Sequence, residues 1–139
     1  RLYDGAGKIH LGKFSIEDNI NCTDGKYAEH CGGGNTGTIG VAFCGMLGFE
    51  SPKKPGNYLL NEVQLKAGFK DIASLCKRYD IPITSMTVYS HRAFGLAHPK
   101  TESGGKIDIC YLPPHPELKP DEIDDYIRSK VSWYRKQLK

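Results

Sequence analysis

Leu65, Phe69, Ile72, Cys76 and Tyr79 fall alternately four and three residues apart, a spacing that gathers them on one face of an α-helix. A one-sided apolar stripe must be covered, so the chain has to supply a second apolar surface to pack on it. Asn61, with Gln64 three residues on, predicts a capping box at the helix start. Lys77 and Arg78, then Pro82, predict its end. A second stripe, Ile123, Ile127, Val131, Tyr134 and Leu138, follows Pro120, a residue suited to the first turn of a helix. Asp121, Glu122, Asp124 and Asp125 crowd the start of that helix, and Arg135, Lys136 and Lys139 its end, which complements the helix dipole.

The remaining apolar segments read as strands. Arg1-Leu2-Tyr3 and Lys8-Ile9-His10-Leu11 flank Asp4-Gly5-Ala6-Gly7, the pattern of a hairpin. Thr38 to Met46 is nearly continuous in apolar residues, which predicts a central strand covered on both faces. Met86-Thr87-Val88-Tyr89 predicts another strand, with His91 at its C-terminal end, where α/β sheets usually build sites. Residues 15–37 are polar and lack a period, so they predict a long loop. Pro52, Pro55 and Gly56 break residues 51–58, and Pro113-Pro114-His115-Pro116 makes a stiff connector. The class is therefore α/β, a mixed central β-sheet flanked by amphipathic helices, in one domain over residues 1–139.

Charge and composition narrow the function. A formal charge of +3 over 139 residues is too mild to imply nucleic acid. No apolar run approaches the roughly eighteen residues of a membrane span. The five cysteines (22, 31, 44, 76 and 110) show no C-x-x-C spacing and read as mostly reduced, which fits synthesis in a reducing cytoplasm. Nothing in the pattern sets an oligomeric state.

The chemistry-bearing residues gather between Ser90 and Asp108. In a strand period of two, Lys106 and Asp108 share a face and Ile107 turns away. One loop can then present the His91 imidazole, the Lys106 ammonium and the Asp108 carboxylate to one point. Imidazole and carboxylate are good zinc ligands, and an ammonium suits a developing oxyanion. The same residues also allow a satisfied strand-end histidine beside a surface Lys/Asp pair. Gly32 to Gly34 lack the strand-then-helix setting of a phosphate loop.

His91-Arg92-Ala93-Phe94-Gly95-Leu96-Ala97-His98-Pro99, followed by Gly105-Lys106-Ile107-Asp108-Ile109, resembles the end of the zinc-dependent N-acetylmuramoyl-L-alanine amidases of type 2. These are the phage-lysozyme-like, endolysin-type enzymes related to peptidoglycan recognition proteins. His30-Cys31-Gly32-Gly33-Gly34-Asn35-Thr36-Gly37-Thr38-Ile39-Gly40-Val41 is similar to that family's other signature. The resemblance implies a peptidoglycan hydrolase acting on the cell wall, which cleaves the amide between N-acetylmuramic acid and L-alanine with zinc-activated water. It implies Zn2+ held by His91 and Asp108, with Lys106 stabilising the oxyanion. His30 and Asn35 would contact substrate, and His30 is the candidate to replace a missing ligand. The family's first histidine ligand and its closing tyrosine would fall upstream of Arg1, so the domain is expected to lack its N-terminal strand. Members without that tyrosine carry a glutamate base after the Ile-Gly pair, where this chain has Ala42. The alternative reading is a non-catalytic peptidoglycan-binding module on the same fold.

Overall fold

The two helical stripes cover each other. In a computed structural model describing residues 1–139, α1 (Glu62–Arg78) packs along α3 (Pro120–Gln137). Leu65, Phe69, Ala73 and Cys76 of α1 join Ile123 and Val131 of α3 in one buried cluster, completed by Leu60 and Leu112 from the connectors. The helices run in the same direction. Phe69 meets Tyr126 edge to face at 6.1 Å, and Lys77 Nζ, at the far end of α1, donates to the Lys139 carbonyl.

The sheet has three short strands, β1 (Leu2–Tyr3), β2 (Ile9–His10) and β3 (Ala42–Phe43), in the order β2-β1-β3. β1 pairs antiparallel with β2, Tyr3 opposite Ile9, and parallel with β3, Tyr3 beside Phe43. The expected hairpin and the mixed sheet are both present.

The run from Thr38 to Met46 is not a central strand. Only Ala42 and Phe43 pair, on the sheet edge, and Ala42 is exposed. Thr38 turns its hydroxyl back onto the Gly34 carbonyl, and Gly40 lies under the His30 ring where a Cβ would collide. Phe43 and Met46 pack against the core, Phe43 between Tyr3 at 5.1 Å and Phe69 at 6.0 Å. Gly68 of α1 makes room for it, since a Cβ there would overlap the Phe43 ring.

Asn61 caps α1 by accepting the Gln64 N–H at 2.9 Å, but the return half of a capping box is missing. The Gln64 side chain, fully buried, donates instead to the carbonyls of Tyr3 at 2.7 Å and Cys44 at 2.8 Å. One amide thus fastens β1 and the exit of β3 to the first turn of α1.

Residues 86–89 form a turn, not a strand. The Thr87 hydroxyl folds back to the Thr84 N–H and the Pro82 carbonyl, a local bonding pattern that competes with a ladder. The segment then hangs on α3. Arg128 donates to the Val88 carbonyl at 2.9 Å, and the Ser90 N–H donates to Asp124 at 2.9 Å. His91 therefore opens a short helix, α2 (His91–Ala97), capped by Ser90, whose hydroxyl accepts the Ala93 N–H. The long polar loop is present as expected, with one 3-10 turn at Glu17–Ile20. None of the helices is long and apolar enough to cross a membrane.

Two outcomes follow from this packing. Gln64→Leu keeps the volume but removes two hydrogen bonds, each worth about 0.5–1.5 kcal/mol, so denaturant unfolding should read a loss of about 1–3 kcal/mol. Burial, aided by the Asp71 carboxylate that accepts its hydrogen bond at 2.9 Å, pushes the Tyr3 phenol far above its usual range. A phenol raised in the fold stabilises it below the unfolded value of about 10 and withdraws that support as pH climbs past it. Melting temperature should therefore fall more steeply above about pH 10 in the natural chain than in Tyr3→Phe.

Candidate active site

The loop after α2 folds back on the helix and brings Ser103 under it. Gly95 permits this, because a Cβ there would strike the Ser103 carbonyl. A second loop, Cys31 to Asn35, docks from the other side. A Cβ on Gly32 would stand 2.6 Å from Glu102 Cβ, and one on Gly34 2.8 Å from the Phe94 ring. The glycine run serves close approach between loops, which explains a composition that no phosphate-loop setting supported.

Ser103 is fully buried where the loops meet. Its Oγ donates to the Gly32 carbonyl at 2.7 Å and lies 3.0 Å from His91 Nε2. A carbonyl only accepts, so the single hydroxyl proton is committed to Gly32, and Oγ must accept from Nε2–H. That assigns the tautomer of a neutral His91, with its lone pair on Nδ1. Nδ1 faces Asp108 Oδ2 at 3.2 Å. A lone pair opposite a carboxylate repels it, so this edge calls for a positive charge, either a proton on Nδ1 or a metal cation. The Arg92 N–H holds the Asp108 carbonyl at 2.7 Å, fixing the carboxylate's backbone to the start of α2. The Asp108 side chain is 64% exposed, so the Nδ1 edge opens to solvent while the Nε2 edge is closed.

Ser103, His91 and Asp108 stand in the sequence of contacts of a Ser-His-Asp triad. The resemblance does not extend to function. A nucleophile must reach a substrate carbonyl, and the Ser103 hydroxyl is sealed inside with its proton on Gly32. Ser103 holds the inner edge of His91, and the Nδ1 edge faces outward.

The open edge has the dimensions of half a zinc site. Bonds of about 2.0–2.1 Å to a tetrahedral zinc separate two donors by roughly 3.3 Å, close to the spacing of Nδ1 and Oδ2. No third histidine, cysteine, aspartate or glutamate joins them in a metal-holding group. Cys31 lies on the closed side, its Sγ 3.5 Å from Ser103 Oγ.

Lys106 and Asp108 sit in an irregular bend rather than a strand, so the period-two argument for a shared face does not apply. The Lys106 backbone is tied to the Ser103 carbonyl at 3.2 Å, while its side chain is exposed and forms no ion pair. His30 uses both ring nitrogens inside its own loop, on the Ala28 carbonyl at 2.9 Å and the Thr38 hydroxyl at 3.0 Å. Asn35 Oδ1 accepts the N–H groups of His30 and Cys31, each at 2.9 Å, and leaves its Nδ2 without a partner. Tyr89 stacks on Phe94 at 6.1 Å, and burial, reinforced by Cys31, raises its phenol.

Sequence reasoning passed over Ser103 and Asn19. Asn19, also buried, donates to the carbonyls of Ala28 and Asn35 and accepts the Ala28 N–H, which organises the 19–35 loop. Both are small polar residues in aperiodic stretches, where the only available signal was a polar side chain inside a glycine-rich loop.

The N-acetylmuramoyl-L-alanine amidase family model matches residues 10–108, a stretch that contains both loops, α1 and the whole of the His91–Asp108 site. No curated protein and no solved structure matches the chain. With well over half of its 139 residues matched, the chain belongs to the N-acetylmuramoyl-L-alanine amidase family.

Proposed function

We propose that this chain is a peptidoglycan amidase that cleaves the bond between the lactyl group of N-acetylmuramic acid and the L-alanine of the stem peptide. The observation that carries this reading is the two-sided use of His91. Ser103 seals one nitrogen, and the other points with Asp108 at a solvent-open position that calls for a cation. His91 Nδ1 and Asp108 Oδ2 would hold zinc. When bound, such an ion supplies a Lewis acid for the scissile carbonyl and acidifies the attacking water. Ser103 keeps the His91 lone pair presented on Nδ1, as an outer partner of a metal ligand does. Lys106, with its ammonium unpaired two residues before Asp108, offsets the charge that develops on the carbonyl oxygen as the amide carbon becomes tetrahedral. Asn35 Nδ2 is assigned to substrate contact. His30, its ring nitrogens engaged, keeps the Asn35 loop in shape.

The alternative reading is a peptidoglycan-binding module on the same fold that does not hydrolyse. The deciding experiment incubates the protein with purified peptidoglycan and excess Zn2+, and measures release of peptides with L-alanine at their N-terminus. Amidase activity predicts release that His91→Ala abolishes. Sedimentation with peptidoglycan but no release would establish the binding module.

Two variants probe the assigned roles. Lys106→Ala should lower turnover by roughly 10²–10³ with zinc content unchanged, the usual effect of losing an oxyanion donor. Ser103→Ala should weaken zinc binding by about 10–100-fold, the usual effect of losing a ligand's outer partner. It should also release the tautomer, so nitrogen NMR of neutral His91 should show Nε2–H in the natural chain and a tautomer mixture in the variant. An unchanged tautomer would remove Ser103 from its orienting role.

A further inference from the structure

The side of the α1–α3 pair facing solvent carries a groove of about 460 Å³, within the roughly 300–1,000 Å³ of small-ligand sites. One of its walls, α3, lies beyond residues 10–108 matched by the amidase family, so the groove does not belong to the site described above. His115 Nε2 sits 2.8 Å from Glu62 Oε1 and 2.7 Å from the Tyr126 hydroxyl, so one oxygen of the half-exposed Glu62, the carboxylate that lines the groove, is turned to His115.

What the groove presents outward is aromatic and positive. Trp133, the single tryptophan of the chain, is 56% exposed at the lip and set edge-on to Tyr134 at 4.9 Å. Lys66 and Lys130 line the groove and neither forms an ion pair, the Lys130 ammonium lying 5.5 Å from the centre of the Tyr126 ring. An exposed indole offers a flat, electron-rich face on which the C–H face of a pyranose can lie. Two unpaired ammonium groups beside it select a sugar that carries negative charge.

The reaction proposed for this chain produces such a sugar. Hydrolysis breaks the C–N bond of the lactyl amide. The water oxygen bonds to the carbonyl carbon, both water protons end on the departing L-alanine amine, which leaves as an ammonium, and a carboxylate stays on the muramic acid. Each processed disaccharide gains one negative charge, and the strand loses the peptide that would crowd a groove. We propose that the α1–α3 groove binds this peptide-free, anionic glycan strand, holding the protein on the strand it has already processed. The ligand's identity rests on the amidase reading, but its binding requires no hydrolysis.

Because Trp133 is the only tryptophan, its fluorescence reports on this groove. The test titrates the protein with a tetrasaccharide of alternating N-acetylglucosamine and N-acetylmuramic acid bearing free lactyl carboxylates, and with the uncharged tetramer of N-acetylglucosamine. A saturable change is expected for the charged strand. The uncharged one, and the charged one with Lys66→Gln/Lys130→Gln, should bind roughly tenfold more weakly, the sum of two exposed charge contacts. His91→Ala should leave the titration unchanged. No saturable signal, equal affinity in the double variant, or loss of the signal in His91→Ala would overturn the groove assignment. Failure of peptide release with the fluorescence titration intact would instead sink the amidase reading and leave the groove a site for anionic glycans.

Discussion

Because each strand is only two residues long, the sheet ladders contribute few hydrogen bonds, and the fold depends on the apolar contact between α1 and α3. That contact covers the residues the sequence spaces at helical intervals except Tyr79, whose hydroxyl turns to Glu17, and burial of this kind is the main favourable term in folding. The sheet is attached to it rather than built around it. Phe43 enters over Gly68, and the buried Gln64 amide ties two strand-end carbonyls to the start of α1. The Gln64 Oε1 finds no partner inside the protein, so its amide nitrogen alone accounts for keeping a polar residue there.

The site is held by a different device. No strand end carries it, and rigidity comes from loops that approach closely where glycines leave room. Gly32, Gly34 and Gly95 each occupy a place where a Cβ would collide. Ser103, at the centre of that contact, distributes one proton and one accepting position between Gly32 and His91. A threonine or cysteine there would keep some of this bonding but would have to fit its extra bulk into a fully buried position.

Helical periodicity was legible because it repeats. The α1 and α3 stripes, the Asn61 cap, Pro120 at the helix start and the Tyr3–Ile9 hairpin all appear where the sequence puts them. The strand readings were weaker because apolar content alone does not reveal where backbone groups find partners. Thr87 satisfies itself locally, and Val88 and Ser90 are claimed by Arg128 and Asp124 from α3. Thr38 is drawn back into the loop before β3 begins. His91, Lys106 and Asp108 were singled out by their chemistry together with the family resemblance, and the structure brings His91 and Asp108 within 3.2 Å. Ser103 was not, since its role rests on contacts with residues 12 and 71 positions away.

The division of His91 into a sealed nitrogen and an open one also settles how a Ser-His-Asp constellation should be read in this chain. In a serine hydrolase the serine faces substrate and the aspartate is buried behind the ring. Here the exposures are reversed, with Ser103 at 0% and the Asp108 side chain at 64%. The carboxylate therefore lies on the open side of the ring and the hydroxyl on the closed side. The same distances, turned about the imidazole, seal the hydroxyl and leave two acceptors on an exposed edge, so the arrangement is not a nucleophilic triad.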